Sequence, residues 1–209
     1  MAETAPVGDG GHYKFVILGP PGSGKGTHAA KLAERLSVPH ISTGALLRRE
    51  IAAQTQLGRQ VADAVRSGLL VTDEAIVEMV ERKIRSVTEG EGWILDGAPR
   101  TLGQAELLAP LIEGENPAIV IALDVESDEL RRRLDQRRTD EQRADDDPKV
   151  VEDRLAVWAD IGPRLLDRYV QRGLLLRVNG SGTISDTSSR VWAAVEAAVS
   201  IRSSRRREP

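Results

Sequence analysis

The chain has 209 residues, with 29 Lys and Arg against 32 Asp and Glu for a formal charge of −3, and it contains no cysteine. A chain of this length can bury a substantial core as one domain, while the lack of cysteine excludes disulfides, thiolate zinc sites and cysteine nucleophiles and fits a reducing compartment such as the cytoplasm. The balanced charge excludes a generally basic nucleic-acid protein, and the longest apolar run, at 118–123, is far short of the roughly 20 residues that a membrane span needs.

Residues 1–12 are small, polar and Gly-rich, with no cationic stretch ahead of an apolar one, and read as a disordered leader instead of a signal peptide. Short apolar runs follow at 13–18, 40–41, 93–95, 118–123 and 174–178 and predict five strands. Between them, Ala29, Leu32, Ala33 and Leu36 form one helical stripe, and Ile76, Val80, Ile84 and Val87 form another. Continuous apolar strands separated by helices predict the α/β class, with a five-stranded parallel sheet covered by helices on both faces. Residues 42–71 are helical in pattern but longer than a crossover requires. Residues 138–147 hold no apolar side chain except Ala144 and predict an exposed, mobile loop. Asp147 and Pro148 then cap a helix whose buried face begins with Val151, Leu155 and Trp158. Residues 202–209 read as a disordered tail.

Residues 19–27, Gly-Pro-Pro-Gly-Ser-Gly-Lys-Gly-Thr, lie directly between the first strand and the first helix, the context that a phosphate-binding loop requires. Glycines let successive backbone N–H groups turn inward on a phosphate, and the helix N-terminus adds partial positive charge. Lys25 supplies a point charge for the β- and γ-phosphates, and Thr27 a hydroxyl able to ligate Mg²⁺. The residue after Lys25 is Gly26, where the general motif has Ser or Thr. No Asn-Lys-x-Asp sequence is present, which argues against a GTPase.

Three further segments carry phosphate chemistry. In residues 42–48, Ser42 or Thr43 caps a helix and Arg48, four past Gly44, tilts back toward that N-terminus, so both can share one phosphate; an ordinary cap followed by a surface arginine fits the same residues. Residues 93–100, Trp-Ile-Leu-Asp-Gly-Ala-Pro-Arg, close the third strand, and ligands of open α/β sheets sit beyond such carboxyl ends. Asp96 there can order the waters of a bound Mg²⁺, and Arg100 can fork onto a phosphate. Arg133 and Arg137 share a helix face, with Arg143 and Arg154 farther on; taken alone, this is a solvated charge run. Residues 179–182, Asn-Gly-Ser-Gly, form a turn after the last strand.

These segments, in this order from about 13 to 200, resemble the nucleoside monophosphate kinases, and the adenylate kinase family with a short lid in particular. The resemblance implies a P-loop three-layer α/β/α domain over 13–201, with a nucleoside monophosphate-binding insert at 42–71 and a lid at 138–148. It implies a monomer that transfers the ATP γ-phosphate reversibly to AMP with Mg²⁺, giving two ADP, with no structural zinc and no nucleic-acid or membrane partner. ATP would be held by Gly22, Ser23, Gly24, Lys25, Gly26, Thr27, Arg133, Arg137 and Gly182. AMP would be held by Thr43, Arg48, Leu69, Leu70, Val71, Gly97, Ala98, Pro99, Arg100, Arg143 and Arg154, with the Gln104 amide reading adenine. Lys25, Arg100, Arg137, Arg143 and Arg154 would carry catalysis, and Thr27 and Asp96 would hold Mg²⁺, partly through water. Two positions depart from the family pattern: Ala45 stands where an acidic residue is frequent, and Ala98 replaces an aromatic. They leave open a weaker enzyme, another acceptor such as UMP or CMP, or a nucleotide-binding regulatory module that has lost catalysis.

Overall fold

The computed structural model of the chain describes residues 13–67, 72–87, 92–141 and 147–207. Five strands, β1 (Lys14–Leu18), β2 (His40–Ser42), β3 (Trp93–Asp96), β4 (Ile119–Asp124) and β5 (Leu175–Asn179), fall on the five apolar runs to within a residue or two. They pair in parallel in the order β2-β3-β1-β4-β5. Parallel pairing requires long crossovers, and these cover both faces of the sheet.

The alternation of side chains along β1 separates the two cores. Val16 and Leu18 join a cluster with Val77 and Val80 of α4 (Asp73–Arg85), Ala105 of α5 (Leu102–Leu107), Ile112 of α6 (Ala109–Ile112), and Leu165 and Tyr169 of α8 (Pro148–Gln171). Phe15 and Ile17 join the opposite cluster with Ala29, Leu32 and Ala33 of α1 (Lys25–Leu36) and Val191, Val195 and Val199 of α9 (Ile184–Arg207). The four-residue spacing on α9 and the 3/4 spacing on α1 put those side chains on one helix face each. The result is the three-layer α/β/α arrangement. No helix among the described residues is long and apolar enough to cross a membrane.

Between β2 and α4, the helical segment resolves into α2 (Thr43–Ala52) and α3 (Gln56–Ser67). They meet at Gly58, which is buried and whose N–H donates to Thr55 Oγ1 at 3.0 Å. A Cβ on Gly58 would lie 1.9 Å from Glu50 O, a backbone atom that cannot swing aside. Gly58→Ala is therefore expected to destabilise the protein by about 2 kcal/mol or more through overpacking. Urea denaturation checks this: the midpoint should fall with the slope unchanged, and a wild-type midpoint would refute the packing argument.

Two boundaries differ from the sequence expectation. The helix α7 (Ser127–Glu141) runs into the segment expected to be a loop from 138, held by Thr139 Oγ1 donating to Asp135 O at 3.1 Å and by Gln136 Nε2 donating to Asp140 one turn on. The tail expected to be disordered from 202 continues α9 to Arg207, so the folded unit extends beyond 201. Arg202 is the reason, since its Nη1 donates to Pro117 O at 2.7 Å and its Nη2 to Ala118 O at 3.3 Å. The leader at 1–12, Leu69, Leu70, Val71 and Arg143 lie outside the described residues.

Candidate active site

The strand register brings Leu18, Ser42, Asp96, Asp124 and Asn179 to one edge of the sheet. At the end of β1 the chain turns through 19–24 into α1. Gly22 and Gly24 both have φ of 81°, a left-handed backbone that side chains rarely tolerate. Gly24 caps α1 without a side-chain bond, so the first N–H groups of the helix keep their capacity for an anion. A Cβ on Gly22 would stand 2.9 Å from Leu130 O and from Leu134 Cγ, so α7 packs directly on this loop.

Lys25, in the first turn of α1, donates through Nζ to Pro20 O at 3.1 Å. Burial pushes its ammonium down to about 8, Asp96 opposes the shift, and the positive charges of Arg100, Arg154 and Arg137 add to it. Three arginines from distant parts of the sequence therefore lie within electrostatic reach of Lys25. Lys25 and these three arginines bring positive charge together at the end of the phosphate loop, which suits a polyanion.

Asp96 ends β3 and is buried. Its Oδ2 accepts from Ser42 Oγ at 3.2 Å and lies 3.8 Å from His40 Nε2. Burial alone would push this carboxyl up, but His40, the Lys25 ammonium and the Ser42 hydroxyl together hold it below its ordinary value. A Cβ on Gly26 would sit 3.3 Å from Asp96 Oδ2, which explains a glycine where the general motif has a hydroxyl residue. Asp96 Oδ1 is buried and has no hydrogen-bond partner among the described residues, and the Thr27 side chain on α1 is exposed. A carboxylate oxygen and a hydroxyl are hard donors, and they fit Mg²⁺.

On the insert side, Ser42 caps α2 by accepting from Ala45 N at 3.5 Å, while the buried Thr43 donates through Oγ1 to Asp96 O at 3.2 Å. Arg48 does fold back along α2, since its Nη1 would lie 3.3 Å from a Cβ on Gly44. Gly97 has φ of 86°, and a Cβ there would meet Thr43 Oγ1 at 2.4 Å and Arg100 Nη2 at 3.3 Å. Arg100 Nε donates to Gly97 O at 2.7 Å. Ala98 is fully buried within the first core, and Pro99 beside it is buried as well. Gln104 is also buried: its Oε1 accepts from Arg100 N at 2.8 Å and its Nε2 donates to Asp73 Oδ1 at 2.9 Å.

At the far end of the same edge, two residues singled out separately in the sequence meet. Arg133 Nη2 donates to Gly182 O at 3.0 Å and to Gly180 O at 2.9 Å. Both are joined by Glu129, which accepts from Arg133 at 2.5 Å and from Gly182 N at 3.2 Å. Burial would raise the Glu129 carboxyl, but the Gly182 N–H and Arg133 hold it below its ordinary value. Arg190 grips the same turn through Ser181 O at 2.6 Å. Sequence reading missed Glu129, Arg190, His40 and Asp73. Only Glu129 carried a signal, its i,i+4 spacing to Arg133.

Phosphoryl transfer asks little covalent chemistry of a protein and much placement of positive charge, and this edge of the sheet concentrates both a phosphate loop and that charge. The fold and site define a nucleotide-binding α/β protein of the P-loop class. The adenylate kinase family model matches residues 17–174. An adenylate kinase of Stenotrophomonas maltophilia (strain K279a) is 41% identical over 186 residues, covering 88% of this chain and 100% of that protein. Adenylate kinases of Xylella fastidiosa (strain M12) and Xanthomonas campestris pv. campestris (strain 8004) are 43% and 41% identical over 184 residues each, 87% of this chain and 98% of theirs. The chain belongs to the adenylate kinase family.

Proposed function

We propose that the chain catalyses reversible, Mg²⁺-dependent transfer of the ATP γ-phosphoryl group to AMP, giving two ADP. The observation that carries this reading is the gathering of Arg100, Arg137 and Arg154 around Lys25, in a chain of the adenylate kinase family. In-line transfer spreads negative charge over the migrating group, and catalysis consists of positioning the two nucleotides and neutralising that charge.

The loop residues Gly22 to Thr27 hold the donor phosphates, with Lys25 at the transferred group. Arg133 and Gly182 lie at the donor-base end, where Glu129 fixes their spacing. Thr43, Arg48, Gly97, Ala98, Pro99 and Arg100 hold the acceptor, and Gln104 reads its base. Leu69, Leu70, Val71 and Arg143 complete these sets. When bound, Mg²⁺ would be held by Thr27 and Asp96, partly through water, and it supplies charge neutralisation on the donor phosphates. Residues 42–71 act as the acceptor-binding insert and 138–148 as a lid that excludes water, since a wet site would hydrolyse ATP. The protein acts as a cytoplasmic monomer.

Coupled assay of the purified protein with ATP, Mg²⁺ and a panel of AMP, CMP, UMP and GMP tests the reading. Two ADP per ATP and AMP are expected, with loss of turnover on chelation. No ADP from ATP and AMP overturns the proposal. A preference for UMP or CMP reassigns the acceptor, and ATP binding without any turnover identifies a regulatory module.

A further inference from the structure

The buried amide of Gln104 is held on both sides by groups of fixed polarity. Asp73, in the first turn of α4, accepts through Oδ1 from Gln104 Nε2 at 2.9 Å and through Oδ2 from Thr101 Oγ1 at 2.7 Å. Thr101 has spent its only proton on Asp73 and accepts from Gln104 N at 3.0 Å as the cap of α5. On the other side, Arg100 N donates to Gln104 Oε1 at 2.8 Å. A carboxylate can only accept and a backbone N–H can only donate. A flipped Gln104 would set its oxygen against Asp73 and its NH₂ against the Arg100 N–H, leaving buried polar groups unpaired on both sides.

We propose that Asp73 is a positioning residue that locks the polarity of the Gln104 amide and thereby selects adenine against hypoxanthine as the acceptor base. The inference rests on the reading that Gln104 faces the acceptor base. With one N–H given to Asp73 and one lone pair to Arg100, the amide retains one donor and one acceptor in a fixed order. Adenine offers an N6–H donor beside the N1 acceptor, whereas hypoxanthine offers an O6 acceptor beside an N1–H donor. The locked amide matches the first edge and opposes the second. Sites built on such hydrogen bonds reject a mismatched partner far more strongly than apolar pockets do.

The structure also supplies a second way to disturb the lock. A Cβ on Gly103 would lie 2.5 Å from Asp73 Oδ2, so Gly103→Ala displaces the carboxylate without altering its chemistry, and Gly103 sits in α5 on a backbone that alanine favours.

The test measures kcat/KM for AMP and for IMP, with MgATP as donor, in the wild type, Asp73→Asn, Gly103→Ala and Gln104→Ala. An asparagine at 73 can present either an oxygen or an NH₂ to Gln104, so it releases one side of the lock while Arg100 keeps the other. Asp73→Asn is expected to reduce the AMP-to-IMP ratio about tenfold or more, with the rise in KM for AMP exceeding the fall in kcat and with IMP utilisation retained or improved. Gly103→Ala should do the same, and it carries the test should Asp73→Asn not fold. Gln104→Ala should also erase discrimination. If Gln104→Ala erases it while Asp73→Asn and Gly103→Ala lower both substrates in proportion, Gln104 reads the base and the role of Asp73 is overturned. If Gln104→Ala leaves the ratio intact, the reading of Gln104 fails, and the inference with it.

Discussion

Lys25→Met should cost about 10³-fold in kcat and yet raise the melting temperature of the nucleotide-free protein. Both effects have one cause. Burial above all, with the positive charges of Arg100, Arg154 and Arg137 adding to it, pushes the ammonium down from 10.5 to about 8. A lysine whose folded value lies below its unfolded one is a net cost to folding. The unfolded chain binds more protons between the two values, so that cost is complete below about pH 8 and is relieved as the pH rises toward 10.5. Methionine keeps the aliphatic stem and removes the charge. The variant should therefore melt about 2–4 °C higher at pH 7, and its advantage should shrink in alkaline buffer. ATP should restore stability to the wild type more than to the variant, because a polyphosphate compensates the cations. Scanning calorimetry at pH 7 and pH 10 checks the sign, and a variant less stable than wild type at pH 7 would refute the account.

Arg100→Ala tests the acceptor side. The residue is exposed, and its Nε donates to Gly97 O at the turn after β3. Its removal should change stability by about 1 kcal/mol or less. Its guanidinium stands within reach of Lys25, and arginines that meet a transferring phosphoryl group contribute about 10³ to 10⁵ in rate. A fall of about 10³ in kcat/KM is expected, with the fold intact by circular dichroism. Arg100→Lys should recover only part of the loss, because an ammonium cannot fork onto two phosphate oxygens. The backbone N–H of residue 100 survives both changes, so the AMP-to-IMP ratio should stay near its wild-type value. A variant close to the wild-type rate would remove Arg100 from the site.

Most of the fold was legible because burial leaves a periodic trace. Even the three-residue β2 announced itself through His40 and Ile41, and the P-loop through its glycines and Lys25. Polar partnerships leave no such trace. His40 meets Asp96 only because the β2–β3 register sets Ser42 beside Asp96. Asp73 meets Gln104 only because the start of α4 packs on α5. The two misread boundaries have the same origin. Residues 138–141 and 202–207 have the composition of solvated chain, and both stay helical: α7 through bonds between its own turns, α9 also through the reach of Arg202 to Pro117 and Ala118. Gly58 is a further case, since the close approach of Glu50 O that requires a glycine there leaves no mark in the residue pattern.

The central place of β1 also sets the order in which the molecule can be built. Lys14 pairs with Trp93 on one side, and Phe15 pairs with Ile119 on the other. During synthesis at roughly 5–20 residues per second, the first strand waits about 4–16 s for its first adjacent partner and still longer for its second. Until then its apolar side chains have no sheet to enter, and the loop that follows it has no wall of α7 behind Gly22. Nucleotide capture thus belongs to the last stage of assembly, and ATP can act as a ligand that rewards completion without serving as a template for it.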